Sequence, residues 1–153
     1  VQANSARTYT IPSGTRIPSG GYVVIGRNAT RAAFEAFWRG GTPLPSNVVY
    51  INSADTAIVI NGSENYALRN AAGTLIDGTT ISQSSAGGQS IQRRDPCLAA
   101  NLTSSWNVLA STSGGPGAGA GAGCARGVVI NEFADALGSG NFAFEFVELH
   151  YDR

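Results

Sequence analysis

Short apolar runs separated by turn residues recur along the whole chain, the pattern of a β-sandwich or barrel. Thr8-Tyr9-Thr10-Ile11 reads as a first strand, turned by Pro12-Ser13-Gly14. Pro18-Ser19-Gly20-Gly21 then turns the chain again before Tyr22-Val23-Val24-Ile25. Further strands are expected over residues 47–52, 56–60, 65–69 and 73–77, divided by Ser-Ala-Asp, Asn-Gly-Ser and Ala-Ala-Gly. Ser90 to Arg93 and Asn107 to Leu109 follow. One segment departs from this period. From Asn28 to Trp38, the residues Phe34, Phe37 and Trp38 recur at helical spacing among Ala32, Ala33 and Ala36. Asn28 or Thr30 can cap its start, and Gly40-Gly41 stops it. This spacing predicts a short helix closing one end of the sandwich, in preference to a ligand-binding aromatic patch.

Residues 111–123 (STSGGPGAGAGAG) are a low-complexity connector. Extended, it reaches about 40 Å, whereas a domain of this size has a radius of gyration of about 15 Å. It can therefore cross the whole domain. Two strong strands come after it, residues 127–133 and 142–151. They carry Val128, Ile130, Phe133, Phe142, Phe144 and Phe146, whose burial is worth on the order of 10 kcal/mol before entropy. The chain thus divides into a main sandwich (1–110), a connector (111–126) and terminal strands (127–153). The terminal strands are expected to insert into a sheet formed by residues 8–95, in the same chain or a neighbouring one.

The run Val128-Val129-Ile130-Asn131-Glu132-Phe133, followed by Glu145-Phe146-Val147-Glu148-Leu149, resembles the opening of a lamin-tail domain. Tyr9 to Thr15 and Ile17 to Ile25 are similar to that family's proline-glycine turn and the strand after it. Asn28 to Trp38 resembles its short Ala/Phe helix. Ile51 through Gly73-Thr74-Leu75-Ile76-Asp77 resembles its Gly-x-x-Ile-Asp turn, and Gln89 to Arg93 its arginine-bearing strand. The family's usual Leu-x-Gly-Trp strand after Glu-Leu is missing. The resemblance implies an all-β, immunoglobulin-like sandwich with one short helix. It also implies a binding or scaffold module in place of a catalyst. Because the opening strands stand last, the sandwich is expected to be circularly permuted or strand-exchanged. Exchange between subunits is the preferred form, with truncation of a second domain ranked last.

Charge and chemistry narrow the function. Ten arginines and no lysines balance ten acidic residues, for a formal net charge of zero. No basic field steers the domain onto nucleic acid, and no apolar stretch approaches the ~18 residues of a membrane span. Cys97 and Cys124 are expected to pair in an exported protein. Closing that loop is worth about 3–4 kcal/mol. Asn28, Asn61 and Asn101 head glycosylation sequons. The chain starts at Val1 and is read as a processed or trimmed form. His150 has no spaced His or Cys companion, so no metal is assigned to it. Glu132, Asp135, Glu145 and Glu148 form the densest acidic group. They lack the spacing of a calcium loop and are read as a solvent face or as partners for arginine. No serine elbow, phosphate loop or activated thiol is evident. No catalytic residue and no cofactor is therefore expected. The expected function is an extracellular structural protein whose strands Val128–Phe133 and Phe142–Phe146 join copies of itself into a fibre or surface layer. The alternative is a secreted, monomeric, permuted sandwich binding a glycan or a protein; Trp38 and Trp106 are too scattered to make a glycan platform.

Overall fold

The computed structural model describes residues 7–54, 58–60, 64–82, 89–109, 115–119, 124, 126–136 and 140–153. Among these residues eight strands and one α-helix follow in the order β1 (Tyr22–Gly26), α1 (Arg31–Arg39), β2 (Val48–Asn52), β3 (Ala67–Arg69), β4 (Leu75–Gly78), β5 (Ser90–Arg93), β6 (Trp106–Leu109), β7 (Val128–Ala134) and β8 (Phe146–Tyr151). Six strands form one sheet in the order β2-β1-β8-β7-β5-β6, and β3 pairs with β4 in a second. Two sheets face each other, and the chain is an all-β, immunoglobulin-like sandwich with one short helix. Only β1 and β2 run parallel. A parallel pair needs a crossover, and α1 supplies it.

The inner strands of the six-stranded sheet are buried on both faces, which explains why β1 (YVVIG) and β7 (VVINEFA) read as nearly unbroken apolar runs. On one face Val23, Ile25, Ile91, Ile130, Phe133, Val147 and Leu149 pack with Tyr66, Ile58 and Trp106. On the other, Tyr22, Val24, Ala134 and Phe146 meet Phe34 and Trp38 of α1. Thr30 caps the helix by accepting from the Ala33 N–H, and Gly40 ends it in the left-handed conformation. The two sheets are tied by a buried ion pair. Arg93 of β5 donates to Asp77 of β4, which also accepts from the Ile130 N–H at 2.8 Å. The arginine-bearing strand and the Ile-Asp turn, read separately in the sequence, are thus partners.

The terminal strands lie at the centre of the larger sheet of this same chain. β8 pairs antiparallel with β1 from Tyr22↔His150 to Gly26↔Phe146, and β7 pairs with β8 and β5. A bulge between Ile130 and Glu132 keeps Ile130 and Phe133 on one face.

Three expected strands are corrected. Residues 8–11 form an extended arm outside both sheets, packing through Tyr9 and Ile11, and Pro12 beyond them offers no ladder N–H. Residues 58–60 bury Ile58 and Ile60 without forming a strand, because the Ile60 N–H donates to the Glu145 carboxylate; residues 55–57 lie outside the described residues. Asn141–Phe144 is a 3-10 turn entered through left-handed Gly140, so β8 begins only at Phe146. In consequence Phe142 is 47% exposed and Phe144 half-buried, while Ile130, Phe133 and Phe146 are fully buried. The six apolar residues are not equivalent.

Candidate functional site

Two places in the fold have chemistry beyond packing. The first is a pair of carboxyl groups inside it. Glu132 of β7 stands directly opposite Glu148 of β8, and both are 0% exposed. The Gln92 amide donates to Glu132 at 3.0 Å, and the Asn131 amide to Glu148 at 2.7 Å. The remaining donors come from the Gly/Ala connector: the Gly115 N–H points to Glu132, and the Gly117 N–H donates to Glu148. The Ser90 hydroxyl approaches Glu132, but Glu132 Oε1 has no partner at full hydrogen-bond geometry among the described residues. Burial raises both carboxyls above the usual range, Glu132 to about 7, and the Glu132 charge raises Glu148 further. The two titrate as one unit that keeps a proton near neutral pH.

Residues 115–119 lie over this pair as a short strap. Arg39 of α1 donates to the Pro116 carbonyl at 3.1 Å, and Gln92 and Asn131 donate to the Ala118 carbonyl at 3.3 and 3.2 Å. The strap needs glycine where it touches down. Gly117 has φ +86° and a Cβ there would sit 2.8 Å from Val48. A Cβ on Gly119 would sit 2.5 Å from the Asn131 amide. In the sequence this tract looked like a spacer; its register against β7 and β8 is a tertiary fact.

The second place is an apolar cleft of about 470 Å³ between the arm, the small sheet and β7–β8. Ile11, Ile17, Leu68, Ile76, Val128 and Leu149 line it, with Arg69 and Tyr151 adding polar groups. Among the described residues the six-stranded sheet is faced by a two-stranded one, and Leu75 and Ile76 of β4 stay 44% and 48% exposed. The cleft is not legible in the sequence, because which segments face the larger sheet is set by tertiary packing.

The other candidate residues fall as follows. Cys97 and Cys124 are bonded, with Cα atoms 5.2 Å apart. They lie beside Asp95, which accepts from the Cys97 N–H. His150 is buried against the Tyr22 ring at 4.5 Å, with Nδ1 3.1 Å from the Gly21 carbonyl, and burial lowers its pKa. The four acids divide. Glu145 accepts from Arg27 at 3.1 Å and from Ile60, and burial raises it to about 7. Asp135 is half-buried. Glu132 and Glu148 form the interior pair, so the expected solvent face is corrected: period two puts both on a sheet face that α1 and the strap cover. Trp38 and Trp106 are both buried, their N–H groups donating to Phe144 and Ala100. Asn28 and Asn101 are exposed, and Asn61 lies outside the described residues. No helix is long and apolar enough to cross a membrane among the described residues. No protein-family model, curated protein or solved structure matches the chain.

Proposed function

We propose that this is an extracellular, non-catalytic, lamin-tail-like binding domain that keeps its terminal strands in its own sheet. Its cleft would receive an extended apolar segment of a protein partner. The cleft carries this reading: an apolar trough beside a two-strand sheet fits a strand-like ligand. The disulfide supports single-chain closure. Cys97 follows β5 by four residues and Cys124 precedes β7 by four, about 13 Å of extended chain on each side. β7 is therefore delivered to the strand it pairs with. A glycan ligand is disfavoured, because both tryptophans are inside.

Screening ten-residue extended peptides by NMR against the intact domain tests the proposal. Peptides with alternating apolar residues should perturb Ile17, Leu68, Ile76 and Val128, and Leu68→Glu should abolish the effect. Absence of binders, or footprints elsewhere, would overturn it. A second reading, self-association into a fibre, has one observation in its favour. The outer edge of β6 (WNVL) carries no charge or proline and leaves Val108 43% exposed. Val108→Lys would dissolve assemblies built on that edge.

A further inference from the structure

The connector is fastened over an interior position where charge depends on pH. Glu132 and Glu148 face each other across neighbouring strands with no room for water-like screening, since both are 0% exposed. Two like charges so placed cannot both be held without a large penalty. Burial, the largest influence on both carboxyls, opposes their ionisation, and the strap N–H groups of Gly115 and Gly117, which favour it, offset this only in part. The strap has no titratable group of its own among its described residues. We propose that residues 115–119 form a pH-operated strap, closed while the Glu132–Glu148 pair keeps a proton and released when both carboxyls ionise.

Each element packed around the pair bears on this. From α1, Arg39 faces Glu148 and also grips Pro116, so it favours one negative charge beneath a closed strap. From β1, Tyr22 faces both carboxylates, and burial first, then their charge, raises its hydroxyl above the usual value. From β8, His150 lies two residues on, and burial lowers its pKa. β5 contributes Ser90 and Gln92, and β7 contributes Asn131, none of which titrates. Arg39 is thus the one cation set against the pair among the described residues. A second negative charge has no matching cation. It is relieved by letting water in, and the strap is the thinnest cover: Ala118 and Gly119 are exposed, whereas the strands beneath are not. Release would uncover the polar row Gln92, Glu132, Asn131 and Glu148 while the disulfide keeps the strap tethered at Cys124.

Amide hydrogen exchange of the intact, oxidised chain at pH 6 and pH 9, corrected for the intrinsic pH dependence, tests the device. Protection at Gly115 and Gly117 should fall at least tenfold at pH 9, while β1 and β8 stay protected. Glu132→Gln should remove the fall, and Glu145→Gln should leave it as in the parent chain. Equal strap protection at both pH values would overturn the proposal, as would loss of protection throughout the sheet. Should Glu132→Gln fail to fold, carboxyl ¹³C shifts of the parent chain decide: one of the pair must titrate above pH 6, and titration of both below pH 5 refutes the strap.

Discussion

Replacing Phe146 by alanine should destabilise the domain far more than replacing Phe142, although the two stand four residues apart in one aromatic segment. Phe146 is 0% exposed, and its ring meets the edges of Phe34 and Trp38 at centroid distances of 5.4 and 5.3 Å, both near-perpendicular. Truncation loses the transfer free energy and leaves a cavity between a helix and a sheet that cannot close on it, costing about 3–5 kcal/mol. Two aromatic pairs are lost as well, which places the figure toward the top of that range. For a domain of this size each kcal/mol lowers Tm by about 2–4 °C, so Phe146→Ala should lower it by roughly 8–20 °C. Phe142 is 47% exposed, and its specific contact is the Arg27 guanidinium 4.8 Å from its ring. That contact is worth about 0.5–1 kcal/mol, a shift of about 1–4 °C. Urea titration of both variants, with unchanged slope, measures the difference. Equal midpoints would refute the placement of β8, since Phe142 and Phe146 would then be equivalent strand residues.

Asp77→Ala should cost about 3–5 kcal/mol, because it strands the buried Arg93 guanidinium and the Ile130 N–H; denaturant unfolding measures it, and Asp77→Asn should recover part. Stability should also fall as pH rises from 5 to 8. The folded-state pKa values of Glu132 and Glu145 are raised to about 7, so the protonated fold gains stability that is complete below the unfolded value near 4.5 and lost through pH 7. Thermal melts across that range check the sign, and Glu132→Gln should flatten the slope. Reducing Cys97–Cys124 should cost about 3.5 kcal/mol on loop entropy, read as the shift in urea midpoint with and without a phosphine reductant.

Local pattern made much of this fold legible. Helix α1 is readable because Phe34, Trp38, a Thr30 cap and a Gly40 stop all agree, and β1, β2 and β7 because runs of Val and Ile lie between turn residues. What escaped depends on long-range partners. Nothing local distinguishes Ile60 in a strand from Ile60 donating to Glu145, 85 residues away. Phe142 and Phe144 share the composition of a strand, and it is Gly140 that turns them out of it. The interior pair was hidden for a related reason. Acidic residues ordinarily mark a solvent face, and only a sheet covered on both sides turns Glu132 and Glu148 inward. The connector's composition marks a spanning linker and no particular register, whereas Gly117 and Gly119 are required by contacts with Val48 and Asn131.

The central claim is that β7 and β8 complete the sheet of their own chain, and the native mass of the oxidised protein tests it most directly. Sedimentation from micromolar to near-millimolar concentration should give 15.7 kDa throughout. A stable multiple of that mass, collapsing only when residues 127–153 are removed, would show that the strands belong to a neighbour and would contradict the account.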